Sequence, residues 1–198
     1  MNNESLSARL ILASSSKYRK MLLQRLGVPF DCRSPDIDET ALENESPRDL
    51  VMRLASEKAR EVCRQCPSST VIGSDQLALF NNRVVGKPGS QPVALQQLLS
   101  FSGHSIEFLT AVSVQCHESG FTDQHIDSTL VHFRVLEQEE IERYLEKEQP
   151  FDCAGAFKAE SLGITLFERI SSDDPTALIG LPLIQTAKLL RRSGFQLP

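Results

Sequence analysis

Several features that would assign a chain to a specialised class are missing from this sequence of 198 residues. It contains no apolar segment long enough to span a bilayer, and its start lacks the basic and apolar stretches of a signal peptide. It contains no basic run, and its formal net charge is −5, so nucleic acid is a poor candidate for the main partner. The absence of a G-x-x-x-x-G-K-[ST] motif argues against a P-loop kinase.

The cysteine pattern indicates a reducing compartment. Five cysteines, an odd number without the spacing of a disulfide framework, predict a cytoplasmic protein. Cys63 and Cys66 form a C-x-x-C pair at the end of a charged helical pattern. A redox role is one interpretation, but structural cysteines are favoured, because a zinc site would need a second ligand pair and none is evident.

Apolar runs of strand length alternate with helical patterns, which predicts an α/β fold. Strands are predicted over residues 9–13, 30–34, 103–115, 126–135 and 164–170, and helices are predicted to begin near residues 17, 47, 92, 137 and 182. The two long middle strands favour a mixed sheet. Because no repeat, low-complexity tract or linker occurs, we predict a single domain over residues 1–198.

Residues 71–88 have the pattern of a β-hairpin preceded by a break. Gly73 and the serine after it are predicted to end a buried strand, and an Asn-Asn pair separates the next two apolar runs. The hairpin would bring Asp75 and Lys87 to one end of a sheet, where a carboxylate and an ammonium suit a metal–phosphate ligand. The alternative is a surface hairpin with an ordinary charge pair.

Three serines lie between the first predicted strand and the first predicted helix, and Ser16 is a good N-cap candidate. Such a turn offers free backbone N–H groups and the positive end of a helix, which bind anions and phosphate above all. Lys17 and Arg19 lie in the first helical turn, where an anionic ligand would explain their unfavourable positions. A serine cap with solvated charges is the alternative.

An acidic, loop-like segment follows at residues 35–45. Asp36, Asp38 and Glu39 carry carboxylates of the kind that bind Mg²⁺, although a solvated acidic loop has the same composition. The next helix contains Lys58. Its ammonium either pairs with a glutamate of the same helix or points toward a site.

Six spaced motifs now carry a resemblance that covers nearly the whole chain. They read LILASSSKYRKMLLQRLG, DIDET, ESPRDLVMRLASEKAREV, VIGSDQ, VVGKP and LLSFSGH, and FDCAGAFKAE, GITLFERI and IGLPL continue the match. These segments resemble the Maf family of nucleoside triphosphate pyrophosphatases. The resemblance implies a mixed central sheet flanked by helices, with two lobes around a cleft, like the inosine triphosphate pyrophosphatases. It also implies cleavage between the α and β phosphates, a divalent metal (Mg²⁺ or Mn²⁺) and often a homodimer.

The resemblance assigns roles residue by residue. Asp75 matches the proton acceptor and a metal ligand, and Glu39 matches a second metal ligand. The matches to the phosphate-binding groups are Ser14, Ser16, Arg19, Lys58 and Lys87. The chemistry needs such a set, because a triphosphate carries roughly four negative charges that metal, Lys and Arg must neutralise before a nucleophile can attack.

Three positions resemble the branch of the family that hydrolyses 7-methyl-GTP. These are Tyr18, Gln76 and Glu160, where other members carry different residues. Methylation at N7 makes guanine cationic, and a cationic base favours stacking on an aromatic ring by roughly 0.5–2 kcal/mol. A carboxylate can accept hydrogen bonds from the guanine edge and balance its charge. The resemblance therefore implies that Tyr18 and Glu160 bind the methylated base.

Two other functions stay open. The first is a pyrophosphatase for UTP, dTTP or other modified nucleotides. The second is a non-catalytic, nucleotide-binding regulator of cell division, against which the presence of Asp75 and Glu39 argues.

Overall fold

The computed structural model of this protein describes residues 9–198, so the prediction about a signal peptide falls largely outside the described residues. Within that range seven strands form one sheet, in the order β2-β1-β3-β5-β6-β7 with β4 pairing with β3. The strands are β1 (Leu10–Ala13), β2 (Phe30–Arg33), β3 (Thr70–Phe80), β4 (Arg83–Val85), β5 (Ser105–Cys116), β6 (Phe121–Phe133) and β7 (Phe167–Ser171). The β1–β2 and β1–β3 pairs are parallel, whereas β3–β4 and β6–β7 are antiparallel.

The helices alternate with these strands. They are α1 (Lys17–Gln24), α2 (Pro47–Gln65), α3 (Gln91–Phe101), α4 (Gln138–Glu148) and α5 (Leu183–Arg192). The predicted α/β fold with a mixed central sheet flanked by helices is therefore confirmed. Among the helices of residues 9–198, none combines the length and apolarity that a membrane span requires.

The chain divides into two compact units. The first contains the chain up to Asp75 together with Ala111–Ile126 and Gly180–Pro198, and the second contains Gln76–Thr110 and Asp127–Ile179. Because β3, β5 and β6 each cross a boundary between these ranges, the units are joined through strands rather than through linkers.

In the first unit α2 packs against the parallel strands β1 and β3. Its start follows from local chemistry, since the Ser46 hydroxyl accepts a hydrogen bond from the Asp49 amide at 3.1 Å and proline occupies the first helical position. The core residues it shares with these strands are fully buried or nearly so: Ile11, Ala13, Ala59, Val62, Cys63 and Val71. This packing brings Lys58 of α2 beside Asp75 of β3, with which it forms an ion pair.

The predicted end of the strand at Gly73 is wrong, because β3 continues without interruption to Phe80. Gly73 is needed for packing instead. A Cβ atom there would lie 2.2 Å from the Ala55 carbonyl oxygen and 2.6 Å from the Ala59 amide nitrogen. Only glycine lets α2 approach the strand this closely, since neither contact belongs to a flexible side chain.

The second unit has an aromatic core. Six phenylalanines join in edge-to-face and tilted contacts, among them Phe157 and Phe167 at 4.9 Å between ring centroids. The predicted hairpin is present, because Asn81 and Asn82 have φ values of 49° and 60° and connect β3 to β4.

Two predicted strand boundaries need correction, one in each unit. The strand predicted over residues 164–170 is a 3₁₀ turn (Leu162–Leu166) followed by β7. Gly163 lies in this turn and packs closely on Lys158, since a Cβ at Gly163 would lie 2.4 Å from the Lys158 carbonyl oxygen. The strand predicted over residues 126–135 begins earlier, as β6, because the turn before it ends at Gly120 with φ of 68°.

Candidate functional site

The serine turn between β1 and α1 has the geometry that the sequence predicts. The Ser14 hydroxyl oxygen accepts a hydrogen bond from the Ser16 amide at 3.1 Å, and the Ser16 hydroxyl oxygen accepts one from the Arg19 amide at 3.3 Å. Since a hydroxyl that accepts can also donate, each serine still has an O–H proton to offer to an anion. The turn can therefore bind a phosphate group through hydroxyls at the start of a helix.

Tyr18 lies in the first turn of α1 and is partly exposed. The ammonium of Lys17 lies 5.0 Å from the centroid of its ring, a distance at which a cation is attracted to the aromatic face. The ring therefore already takes part in the interaction that a cationic base would use.

Arg19 is held by a backbone carbonyl from far along the chain. Its Nε donates to the Gly180 carbonyl at 2.9 Å, and the buried Ser74 hydroxyl donates to the same oxygen at 3.0 Å. Gly180 has φ of 123°, which L side chains rarely adopt. Burial lowers the pKa of Arg19, and the negative charges of Asp75 and Glu39 oppose that shift. Arg19 is thus oriented by Gly180 within the field of two carboxylates.

Lys58 connects the two carboxylates that the sequence singles out. Its Nζ lies 2.6 Å from Asp75 Oδ1 and 2.7 Å from Glu39 Oε1. The Lys58 and Asp75 side chains are only 9% and 10% exposed, whereas that of Glu39 is 60% exposed. A buried ammonium needs such partners, because an unpaired charge in this position would be strongly unfavourable. Among residues 9–198, the ion pairs of Lys58 are with Glu39 and Asp75, so the alternative pairing with a glutamate of its own helix is not found.

The charges of this cluster balance: Arg19 and Lys58 are positive, and Glu39 and Asp75 are negative. A polyphosphate would add several negative charges, so a further cation is needed to bind it. Glu39 Oε1 and Asp75 Oδ1 lie 2.7 and 2.6 Å from Lys58 Nζ, so these two oxygens are separated by at most about 5 Å. Two oxygens bound to one Mg²⁺ lie about 3 to 4 Å apart, so small side-chain movements would suffice and these donors fit a hard divalent cation.

A purely protein-built metal cage is not present in the part of the chain that the structure describes. Among residues 9–198, no group of three or more His, Cys, Asp or Glu side chains could hold a metal ion. Mg²⁺ typically uses one or two carboxylates and takes its other ligands from water and substrate phosphates. Glu39 and Asp75 match that mode of binding.

Gln76 belongs to the second unit and is largely engaged there. Its Nε2 donates to Thr110 Oγ1 at 2.9 Å and to the carbonyls of Ala177 and Leu178 at 2.9 and 3.0 Å. These bonds fix the orientation of the side-chain amide. The part of Gln76 that can still contact a substrate is its Oε1 atom, which accepts but does not donate.

Lys87 and Glu160 also lie in the second unit, and both are exposed. Lys87 follows β4 in a segment anchored at Gly86, whose carbonyl accepts a hydrogen bond from Gln97 at 3.2 Å. Glu160 lies in a turn that Glu148 holds, since the Glu148 carboxylate accepts from the Ser161 hydroxyl at 2.7 Å and the Leu162 amide at 3.0 Å. Burial alone would raise the pKa of Glu148, but these hydrogen bonds and Lys158 lower it.

Sequence reasoning found the residues of this cluster but missed the groups that support them. Gly180 and Ser74 were part of recognised motifs, yet no local pattern links them to Arg19. Arg53 was likewise missed, although it forms hydrogen bonds to Glu45, Glu57 and the Thr40 carbonyl. The contacts of Gly180 join residues more than a hundred positions apart, so only the tertiary structure reveals them, whereas the Arg53–Glu57 pair is four positions apart on one helix and could have been predicted from the sequence.

Fold and site together define an α/β protein that gathers two cations and two carboxylates beside a serine-rich turn. The chain belongs to the Maf-like protein family, whose sequence profile matches residues 9–193. The match spans the serine turn, the acidic loop and both units. The predicted family is thereby confirmed.

Curated relatives carry a more specific name. The chain is 51% identical over 191 residues to the "7-methyl-GTP pyrophosphatase" of Polaromonas sp. (strain JS666 / ATCC BAA-500), covering 96% of this chain and 87% of that protein. It is 53% identical over 190 residues to the protein of that name from Xanthomonas campestris pv. campestris (strain 8004), covering 96% and 98%. The Staphylococcus aureus Ham1 protein is a distant structural likeness, with a TM-score of 0.46 and 14% identity over 63% of this chain and 71% of that chain.

Proposed function

We propose that this protein hydrolyses 7-methyl-GTP to 7-methyl-GMP and pyrophosphate and so removes a modified nucleotide from the pool. Relatives of that name match almost the whole chain at about half of its positions. The proposal depends mainly on one observation: Lys58 contacts both Glu39 and Asp75, and the negative charges of these two carboxylates act on Arg19. Such an arrangement is suited to binding a metal-bound polyphosphate.

The proposed roles in the first unit follow from charge and geometry. Ser14 and Ser16 donate hydrogen bonds to phosphate oxygens, and Arg19 and Lys58 neutralise phosphate charge. Asp75 accepts the proton of the attacking water as the water oxygen forms its bond to phosphorus, and the bond to the α–β bridging oxygen breaks. Attack at either phosphorus of this linkage gives the same products, a nucleoside monophosphate and pyrophosphate.

A divalent cation, Mg²⁺ or Mn²⁺, would be held by Glu39 and Asp75 and would supply positive charge to the phosphates and acidify the water. Asp75 alone is a weak base, since a free aspartate has a pKa of about 3.9. Its 2.6 Å contact with Lys58 orients the carboxylate within the cluster. Asp75 therefore combines two proposed tasks, metal ligand and proton acceptor.

Recognition of the base is assigned to three other side chains. Tyr18 offers an aromatic face to the cationic methylguanine, which would take the place of the Lys17 ammonium that now lies 5.0 Å from the ring centroid. Glu160 offers an exposed carboxylate to the guanine edge. Gln76 offers its Oε1 acceptor, and Lys87 is assigned to the phosphates. Cytoplasmic location and a homodimer remain predictions from composition and resemblance.

A nucleotide panel tests this proposal. Purified protein is incubated with Mg²⁺ and either 7-methyl-GTP, GTP, UTP or dTTP, and pyrophosphate release is measured. We expect 7-methyl-GTP to have the highest kcat/KM. Faster turnover of UTP or dTTP would show that 7-methyl-GTP is not the preferred substrate. No turnover of any nucleotide would favour a non-catalytic regulator.

Asp75→Asn tests the chemical role, with Asp31→Asn as the matched control. Asp31 also forms an ion pair in the first unit, with Arg9, but its side chain is 52% exposed. We expect Asp75→Asn to lower kcat by about 100-fold or more, the usual contribution of general base catalysis, and Asp31→Asn to leave kcat unchanged. Equal kcat values for the wild type and Asp75→Asn would remove Asp75 from the chemistry.

A further inference from the structure

The guanidinium of Arg53, on α2, is bonded to the acidic loop at residues 35–45. Its Nε and Nη2 donate to the two carboxylate oxygens of Glu45 at 2.6 and 2.8 Å. Nη2 also donates to the Thr40 carbonyl at 3.0 Å, and Nη1 donates to Glu57 at 3.0 Å. A single side chain thus joins two points of the loop to the helix.

The loop is further stiffened by bonds among its own residues. Glu45 accepts a hydrogen bond from the Leu42 amide at 3.0 Å, and Asp38 accepts one from the Thr40 amide at 2.9 Å. The Arg53 and Glu45 side chains are 20% and 7% exposed, so water competes little for their two parallel bonds. Residues 38–45 therefore have a defined backbone although most of them face solvent.

Thr40, whose carbonyl Arg53 binds, directly follows Glu39. The same helix therefore acts on Glu39 from two sides: Arg53 fixes the backbone next to it, and Lys58 contacts its carboxylate at 2.7 Å. Glu39 itself is mostly exposed, and a long exposed side chain on a free loop would sample many positions. Anchoring the loop reduces the entropy that Glu39 must lose when it binds a cation.

We propose that Arg53 is a positioning residue that holds Glu39 in place for the divalent cation, an inference that rests on the proposed function. Arg53 acts through the loop backbone, since its hydrogen bonds go to Glu45, Glu57 and the Thr40 carbonyl rather than to the Glu39 carboxylate. Lysine cannot replace it, because a single ammonium cannot make the two parallel bonds to Glu45 and also reach Thr40 and Glu57.

The first test measures pyrophosphate release from 7-methyl-GTP against Mg²⁺ concentration. The variants are Arg53→Met and Arg53→Lys, and Arg64→Met is the matched control, since Arg64 lies on the same helix, is 68% exposed and is 3.8 Å from Glu61. We expect both Arg53 variants to raise the apparent Mg²⁺ constant roughly 10- to 100-fold, as the loss of a partner that orients a metal ligand does. The kcat at saturating Mg²⁺ should stay within about 3-fold of wild type, because Asp75 and Lys58 are untouched.

The second test needs no catalysis. Mn²⁺ binding without nucleotide is measured by calorimetry, and hydrogen exchange of the Thr40 and Leu42 amides is measured by mass spectrometry. We expect weaker Mn²⁺ binding and faster exchange in both Arg53 variants, with Arg64→Met like wild type. If Arg53→Met does not fold, Arg53→Lys and Glu45→Gln serve the same test.

The outcomes separate this inference from the proposed function. Wild-type Mn²⁺ affinity and wild-type exchange in folded Arg53 variants would overturn the role of Arg53, whatever the enzyme hydrolyses. A loss of kcat at saturating metal with an unchanged metal constant would also overturn it. If the wild type cleaves no nucleotide, the proposed function fails, and Mn²⁺ binding and exchange still decide the role of Arg53.

Discussion

Replacing Lys58 by methionine would remove the charge that separates Glu39 from Asp75 while retaining most of the buried aliphatic volume. In the wild type one ammonium contacts both carboxylates, at 2.7 and 2.6 Å. Without it the two carboxylates face each other as like charges. We expect Lys58→Met to be less stable than the wild type and to depend more strongly on a divalent cation, since Mg²⁺ can neutralise the same two groups.

The size of the effect follows from the distances. Two carboxylates about 5 Å apart repel each other by about 3 kcal/mol at an effective dielectric constant of about 20. Glu39 is 60% exposed, so water and salt reduce this to about 1–2 kcal/mol. For a chain of this size each kcal/mol lowers the melting temperature by about 2–4 °C, which gives a total of about 2–8 °C.

Thermal unfolding followed by circular dichroism, with chelator and with Mg²⁺, measures the stability of each variant and how strongly that stability depends on the cation. Lys20→Met is the control, because Lys20 is an exposed lysine on α1. In chelator Lys58→Met should melt below the wild type, and Mg²⁺ should raise its melting temperature by more than it raises that of the wild type or of Lys20→Met. Equal melting temperatures in chelator, or equal gains with Mg²⁺, would refute the coupling of the two carboxylates through Lys58.

Three further predictions concern packing and protonation. Gly73→Ala should lose about 1–3 kcal/mol in urea unfolding because its Cβ would overlap the backbone of α2, whereas Gly86→Ala, with nothing within 4 Å, should be neutral or slightly stabilising. Burial, with nearby cysteines adding to it, raises the pKa of Cys63 to about 11, so a thiol reagent at neutral pH should modify the exposed Cys32 first; equal rates would contradict this. Hydrogen bonds from Arg53 and the Leu42 amide lower the pKa of Glu45 from 4.5 to about 2. Its stabilising contribution is therefore complete above about pH 4.5 and is lost as pH falls toward about 2, so the stability difference between wild type and Glu45→Gln should shrink over that window; a constant difference would argue against the pair.

Local chemistry explains why much of the fold could be predicted from the sequence. The Ser16 cap, the helix start near residue 47 and the Asn81–Asn82 turn depend on residues within a few positions of one another, and the structure contains all three. The mixed sheet followed from two long strands separated by a short turn. Each of these signals is contained within one segment of the chain.

The rest could not be predicted because it depends on contacts between distant segments. A glycine after an apolar run predicts the end of a strand, but Gly73 lies within β3 and allows α2 to pack closely against it. For the last helix the sequence predicts an apolar stripe of Leu183, Ile184, Ala187 and Leu190. Leu183 and Leu190 are buried, but Ile184 is 56% exposed. Thr186 is buried in addition, and its hydroxyl donates to the Pro182 carbonyl at 2.7 Å. The sequence alone likewise does not show that Lys58 pairs with Glu39 and Asp75, because Glu57 and Glu61 lie nearer to Lys58 in the sequence and on the same helix.

The carbonyl of Gly180 accepts hydrogen bonds from Arg19 and Ser74, yet it follows both by more than a hundred positions in the chain. During synthesis the ribosome must therefore complete nearly the whole polypeptide before Arg19 acquires its fixed orientation. A nascent chain that has been synthesised only as far as β3 would contain every charged group of the cluster but would lack the Gly180 carbonyl that orients Arg19. Competence to handle a polyphosphate would then be one of the last properties that the newly made protein gains.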